Sequence, residues 1–399
     1  MINSAWLINQ LTLLFRWNRI MKILSFVFLN FLSALTILST PKITLSQSNL
    51  TPVCQYLVFG QWAEVKKLIE TSSNPNESCN FGDEVFPLLH YVIDQGDVNL
   101  VKSLIAKGAD IKVKDSNGNT SLHFVGDSLE LAKLLIDQGL DVNANNNSHI
   151  TPLHNLYGKL TKEVAELFIA KGANVNAKSN EQLTPLHLTA DHGKLEIGQL
   201  LIAKGADINA RTNQNFTPLH YAIQRPIFAK LLIDSGAKLN ILNDRGVAVI
   251  HDLGLSKETL QLLLAKEVNV NLKSTDGKTP LHYHGINPEL MKILIAKGAN
   301  VKAKDNLGRT PLHYAMKESG KLLVANGANI NARDNSGKTP LHTAVIAEDY
   351  YTLDFVEFLL MKKAKLNLRD QEGKTALQLA LTKGDNSMIQ LLKRYGGKV

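Results

Sequence analysis

The 399-residue sequence predicts an all-helical solenoid of stacked helix–turn–helix units. Three observations lead there. The tetrapeptide Thr-Pro-Leu-His stands complete at 151–154, 184–187, 217–220, 279–282, 310–313 and 339–342, with weaker copies at 87–90, 120–123, 248–251 and 375–378. The motif histidines His90, His123, His154, His187, His220, His251, His282, His313 and His342 follow one another at 29 to 33 residues, a period that marks a stacked-repeat architecture. Each period also carries the start and stop signals of two short helices.

The copy beginning at Thr184 shows those signals in order. Thr184 suits an N-cap and Pro185 the first helical position, where a missing N–H is no loss. Leu186 opens an apolar face and Gly193 ends the first helix. Leu195, Leu200, Leu201 and Ile202 bury one side of the second. Gly205 stops it by taking positive φ. The following 206–210 segment leads into a turn before the next threonine.

Second-helix endings such as Ala203-Lys204-Gly205-Ala206-Asp207 and Ala296-Lys297-Gly298-Ala299-Asn300 recur, as do turns such as Asp115-Ser116-Asn117-Gly118 and Asp305-Asn306-Leu307-Gly308. This succession resembles the ankyrin repeat over residues 51–399, in about eleven copies. The resemblance implies β-hairpin fingers, stacked helix pairs and a non-enzymatic function. Protein partners would be held through the concave finger and first-helix surface.

Departures from the pattern carry expectations of their own. His149, Gln182 and Asn215 stand where the turn expects glycine, so those fingers are expected to be reshaped. Glu267 and Lys363 replace the glycine after the second helix, which predicts weaker caps. Several repeats are short, and the loss is expected between the two helices. Asp127-Ser128, Ser256, Asn287-Pro288 and Pro226 supply new helix starts. The Thr339 repeat carries extra residues around 348–351. Asn386, Gln390, Lys393 and Arg394 give the last helix a solvated face, so residues 375–399 read as a C-terminal cap.

Residues 1–50 are not repeat-like. Ile23 to Leu38 is a mostly apolar run of 16 residues, preceded by Arg16, Arg19 and Lys22 and followed by Thr44-Leu45-Ser46. As a helix it spans about 24 Å, short of the roughly 30 Å hydrocarbon core. A basic flank, a short apolar stretch and a small-residue exit describe a secretory signal peptide over 1–46, with Met21 a possible true start. The alternative is an uncleaved membrane anchor at residues 20–40. Residues 47–50 then form a linker, and 51–85 a divergent N-terminal cap repeat.

Cys54 and Cys79, the chain's two cysteines, both fall in that cap. Cys54 takes the histidine place of the motif and Cys79 lies in the finger, which the resemblance places near that histidine. Behind an export signal the pair is expected to form a disulfide, closing about 26 residues for roughly 3–4 kcal/mol of stabilisation. Two separate buried thiols are the alternative.

Composition excludes more than it proposes. The net charge of +8 includes four basic residues and no acid in residues 1–50, leaving +4 across the repeats. That is no nucleic-acid-binding stripe. No phosphate loop, nucleophile elbow, Cys-x-x-Cys or HExxH helix is present. No catalytic residue, cofactor, metal or small-molecule substrate is expected. Motif histidines about 10 Å apart, the spacing of packed helices, cannot share a zinc that binds each ligand at about 2 Å. They are expected to bond the threonine and the neighbouring finger backbone, and His282-Tyr283-His284 lacks a third ligand. The Asn-x-Ser/Thr sequons at Asn119 and Asn215 arise from the capping threonine or its neighbour; those at Asn76 and Asn146 do not.

The residue before each motif threonine belongs, by resemblance, to the partner-facing set. It reads Ile150, Leu183, Phe216 and Val247, then Lys278, Arg309, Lys338 and Lys374. The pattern suggests a groove that is apolar in its first half and cationic in its second. Packing between neighbouring fingers is the alternative for the apolar four. Tyr91, Phe124, Tyr221, Tyr283 and Tyr314, each just after a motif histidine, are expected to pack between repeats. The reading is an exported binding scaffold. A membrane-anchored scaffold or a regulator of an exported enzyme is the alternative.

Overall fold

Each motif threonine is extended, as an N-cap must be, before proline starts the turn. At Thr184, Thr217 and Thr339 in the computed structural model, φ lies between −98° and −104°. The structure describes residues 50–71, 74–81, 84–155, 159–347 and 352–399. The expected signal peptide or anchor, Met21 and the 348–351 insertion lie outside them. The chain divides into two compact units, residues 1–173 and 174–399.

The first unit opens with α1 (Pro52–Val58) and α2 (Trp62–Thr71), followed by the antiparallel hairpin β1 (Ser78–Phe81) and β2 (Glu84–Pro87). The helix pair α3 (Leu88–Asp94) and α4 (Val98–Ala106) comes next. A 3-10 turn at Ser121–Phe124 precedes α5 (Leu129–Asp137), and another at Pro152–His154 precedes α6 (Lys162–Ala170). Its core is the apolar face of each second helix: Val65 and Ile69, Val101 and Leu104, Leu131 and Leu135, Val164 and Phe168, all buried.

The second unit repeats the scheme with α7 (Pro185–His192) and α8 (Leu195–Ala203), α9 (Pro218–Tyr221) and α10 (Pro226–Asp234), then a 3-10 turn at Val249–His251 and α11 (Lys257–Ala265). It continues through α12 (Pro280–Tyr283), α13 (Pro288–Ala296), a 3-10 turn at Pro311–His313, α14 (Lys317–Ala325), α15 (Pro340–Ile346), α16 (Thr352–Met361), α17 (Ala376–Lys383) and α18 (Asn386–Arg394). Gly198 on α8 leaves room for the Phe228 ring on α10, which a Cβ there would strike. The exposed Asn386, Gln390, Lys393 and Arg394 give α18 the expected solvated face.

Shortening falls on the first helix, not between the helices as the sequence suggested. The Thr184 copy has an eight-residue first helix, whereas the Ala248 and Thr310 copies keep a three-residue 3-10 turn. In three of the shortened copies the second helix is capped. Ser128, Ser256 and Asn287 accept N–H groups from Leu131, Thr259 and Leu290 at 3.3, 3.0 and 3.2 Å. In the Thr310 copy the second helix starts after Met316 without a side-chain cap and still keeps nine residues, so its buried face, shared by all copies, is what outlasts the deletion.

The fingers are turns. Among the described residues only β1 and β2 pair as strands. Each other finger closes with two backbone bonds, such as Ser274 N–H to Lys278 O at 2.8 Å and Gly277 N–H to Ser274 O at 2.9 Å. Contrary to expectation, His149, Gln182 and Asn215 do not reshape them. All three take φ of 56–58°, as their glycine counterparts do, and Gln182 N–H still reaches Ser179 O at 2.8 Å. Glu267 and Lys363 likewise take φ of 55° and 65°. The cap after Glu267 is loosened as expected. Val268 N–H lies 3.3 Å from Leu263 O, against 2.9 Å for Ala206 to Leu201 O, while Ala364 to Leu359 O remains at 3.0 Å.

A second set of links joins repeats through asparagine. Asn176 Nδ2 donates to Gly205 O at 3.0 Å, and its Oδ1 accepts the Asp207 N–H at 2.7 Å. Asn76, Asn209, Asn271 and Asn367 bridge the next repeat in the same way. The sequon residue Asn76 is therefore a structural bridge.

A non-glycine residue at φ near +55° stores about 1 kcal/mol or more. We expect Glu267→Gly and Lys363→Gly each to raise stability by roughly 0.5–1 kcal/mol, after the added flexibility of the unfolded chain is subtracted. Urea titration of the single variants would show this as a higher midpoint. A fall at both positions would remove the backbone account.

Candidate partner-binding surface

The surface is built outward from the histidines. In Thr184–His187 the threonine N–H donates to His187 Nδ1 at 3.1 Å, with the hydroxyl oxygen 2.9 Å away. Nδ1 therefore accepts and the proton sits on Nε2, which donates to Phe216 O at 3.2 Å in the next finger. His282 reaches Arg309 O at 3.1 Å, His313 reaches Lys338 O at 3.2 Å, and His342 reaches Lys374 O at 3.3 Å. In the first unit His123 reaches Ile150 O at 3.0 Å. His251 instead takes Leu272 O at 2.9 Å.

Variation at the threonine shows what the link requires. Ala248 has no hydroxyl, yet its N–H still donates to His251 Nδ1 at 3.1 Å. Pro87 has no N–H, and Nδ1 of the buried His90 is left without a partner. The backbone donor is the essential part.

The acceptor carbonyls of Ile150, Phe216, Arg309, Lys338 and Lys374 belong to residues singled out as partner-facing, so at those five the histidines fix where the side chains start. Ile150 lies in the first unit. Leu183, Phe216, Val247, Lys278, Arg309, Lys338 and Lys374 lie in the second. All eight are half-buried. Phe216 packs edge-on to His220 and Tyr221, with the Arg245 guanidinium 5.9 Å from its ring centre. Lys278 Nζ sits 4.9 Å from the Tyr314 ring centre and 5.8 Å from that of Tyr283. Arg309 lies over Tyr314 and also pairs with Asp334 at 3.3 Å. Lys374 meets Glu372 at 3.0 Å. Among the described residues neither Lys278 nor Lys338 is paired with an acid.

The tyrosines pack between repeats. Tyr221, Tyr283 and Tyr314 stand edge-on to His187, His251 and His282 of the preceding repeat, with ring centres 5.3–5.9 Å apart. Phe124 stacks on His90 at 4.8 Å, while Tyr91 lies tilted against Phe86, just before its own motif, at 5.1 Å. Sequence reasoning missed Arg245. Its cue was a basic residue two before Val247, in the finger following Phe216.

At the N-terminal end, Cys54 on α1 is paired with Cys79 on β1, Cα atoms 5.4 Å apart and both side chains buried. Among the described residues no three His, Cys, Asp or Glu side chains converge as a metal site, and no helix is long and apolar enough to cross a membrane. A shallow groove of about 370 Å³ between α10 and α11, lined by Pro226, Ile227, Lys230, Glu258, Gln261 and Leu262, gathers no catalytic constellation.

Residues 42–146, 89–178, 155–243, 247–334 and 317–399 match the family model for ankyrin repeats in three copies. The chain belongs to the ankyrin repeat family. A putative ankyrin repeat protein of Fowlpox virus (strain NVSL) is 36% identical over 72 residues, 17% of this chain and 14% of the relative. One from Rickettsia felis is 31% identical over 116 residues, 24% of this chain and 48% of the relative. An ankyrin repeat-containing protein of Schizosaccharomyces pombe is 33% identical over 89 residues, 22% and 41%. The chain therefore spans less than half the length of each of these relatives. All three are named for their repeats, and none of the names indicates catalysis.

Burial keeps the ankyrin histidines neutral. It lowers the pKa of His90, His220 and His284 to about 4, and lowers those of His123, His251, His282, His313 and His342 as well. Unfolded imidazoles titrate near 6.5. Between about 6.5 and 4 the unfolded chain thus binds more protons, so stability is full above 6.5 and drains away on acidification. Each such histidine contributes a slope of up to about 1.4 kcal/mol per pH unit. We expect unfolding at pH 5 to take up several protons per chain and to need less urea than at pH 7.5. Uptake of one proton or fewer would contradict the neutral-histidine scheme.

Proposed function

We propose that this ankyrin protein is an exported, non-enzymatic scaffold that holds an acidic segment of a protein partner against the finger roots of its second unit. The observation that carries this reading is the run Lys278, Arg309, Lys338 and Lys374. Four successive fingers each present a cation at the same place, on backbone pinned by a histidine or by its own turn. Lys278 gains tyrosine faces there and, among the described residues, is paired with no acid. A cation held over aromatic rings keeps its charge available to an incoming carboxylate. The half-buried Leu183, Phe216 and Val247 supply apolar contact beside it, and much of their surface serves finger packing.

Export is supported by the apolar 23–38 run behind basic residues and by the Cys54–Cys79 pair, which needs an oxidising compartment to form and persist. If residues 1–46 are a cleaved signal peptide, the mature chain starts at Gln47 and contains no free thiol. N-terminal sequencing and thiol titration of the protein from its own host would show both. An intact N-terminus with two reactive thiols in a reducing compartment would sink the export reading.

For the binding reading, the triple variant Lys278→Glu, Arg309→Glu and Lys338→Glu should abolish co-purification of the partner from that compartment. Its circular dichroism should match the parent's. Unchanged co-purification would move the partner to another face.

A further inference from the structure

Every finger of the second unit shares one main-chain bond, which marks the same two places in each: the residue before the turn and the residue that closes it. In the last four fingers this bond runs from the Ser274, Asp305, Asp334 and Asp370 N–H groups to the carbonyls of Lys278, Arg309, Lys338 and Lys374, at 2.8–3.0 Å. The residues just before those turns are Lys273, Lys304, Arg333 and Arg369, all exposed. Each of four successive fingers therefore carries a cation on both legs. The three preceding fingers close in the same way at 3.0 Å, from Ser179 to Leu183, Thr212 to Phe216 and Asn243 to Val247, with an apolar residue at the close. A main-chain bond asks nothing of the side chains beside it, so the fold does not demand the doubled charge.

The four fingers are contiguous. The Asn306 N–H donates to Asp276 O at 2.9 Å, the Asn335 N–H to Leu307 O at 2.8 Å and the Gln371 N–H to Ser336 O at 2.9 Å. Lys273 Nζ lies 3.4 Å from Lys304 O, and Arg333 Nη2 lies 2.6 Å from Arg369 O. Each of these side chains thus extends along the row to the residue that bears the next finger's cation. Among the described residues none of the four before the turns meets an acid. Asp305, Asp334 and Asp370 are buried, and Oδ1 of each accepts two N–H groups of its own turn. The exposed acids, Asp276 and Glu372, sit on the outermost two of these turns, and the two middle tips carry none.

A row of cations with few acids among them attracts a ligand whose own charges are densely placed. Its composition follows from the neighbouring fingers. Leu183, Phe216 and Val247 precede the basic block at the same place, and a polypeptide can join an apolar stretch to an anionic one in a single chain. Single-stranded nucleic acid needs open aromatic faces for its bases. Here Tyr283 and Tyr314 are half-buried, with Lys278 beside both rings and His251 and His282 packed edge-on to them. From this, and resting on the binding reading above, we infer that the partner segment is a block: an unbroken run of acidic residues lying across both legs of the last four fingers, joined to an apolar stretch that meets the earlier three.

The test measures binding of the full chain to fluorescent peptides. Two carry a leucine–phenylalanine block joined to an unbroken glutamate run, one in each order; a third has the same composition with the glutamates dispersed singly. The better block peptide should bind about tenfold more tightly than the dispersed one in about 0.05 M salt, and lose most of that advantage in about 0.5 M. Lys273→Glu plus Lys304→Glu should weaken it about tenfold with an unchanged circular dichroism spectrum. Lys292→Glu plus Lys297→Glu at α13 changes the net charge equally and should weaken it less than about twofold. Equal binding of block and dispersed peptides, no binding of any, or equal losses in the two double variants would overturn the inference. So would heparin or oligo-dT that binds through Lys273 and Lys304 more tightly than the block peptides. If the block peptides fail while partner co-purification still needs Lys278, Arg309 and Lys338, the scaffold reading stands and only the acidic run falls.

Discussion

Most of these repeats depend on an imidazole with two obligations; His90, with neither nitrogen bonded, and His220, whose Nε2 is unpaired, are the exceptions. The ring's Nδ1 accepts a backbone N–H from its own motif, and its Nε2–H is given to a carbonyl of the next finger. The first bond closes the N-cap and the second fixes the distance to the neighbour. A protonated ring could not serve the first bond, and a lysine or arginine could serve only the second. Burial enforces the neutral form at the pH where the protein is stable. This explains why threonine can fall to alanine at Ala248 while the histidine stays.

The chain's ends show the same requirement by its exceptions. In the motif at 375–378, Gln378 stands in the histidine's place. Its Oε1 accepts the Thr375 N–H at 2.8 Å, so the cap survives while the outward reach is dropped. The first motif puts Cys54 in the histidine's place, and its partner Cys79 lies 25 residues on, in the next finger. His342 meets Leu368 O at a separation of 26. Geometry that elsewhere carries a hydrogen bond of about 1 kcal/mol here accommodates a cystine.

Much of this was legible in the sequence because capping chemistry is local. The motif period, Pro185, Ser256 and Asn287 each state a helix start in residues adjacent to it. What was not legible depends on neighbours. In shortened repeats the first helix yields while the second keeps its buried face, an outcome of packing that no local signal reports. Gln182 and His149 looked able to reshape fingers, but the surrounding bonds force them into the turn that glycine takes. The Asn176 bridges went unread because an asparagine between a helix end and a turn also suits that turn for itself. The finger-root residues were found from their register, while their half-burial over Tyr283 and Tyr314 needed the tertiary fold.

The link also explains why binding can vary while the fold does not. The histidine of one repeat holds the main chain at Phe216, Arg309, Lys338 and Lys374, and it asks nothing of their side chains. A carbonyl acceptor is common to every residue type. Each of these positions is therefore a rigid mount on which apolar and basic groups are interchangeable at little expense to stacking. The change from the apolar Phe216 to the cationic Arg309 is what such mounts permit. A bound segment would meet side chains whose starting points are already ordered, so less conformational entropy is lost on association.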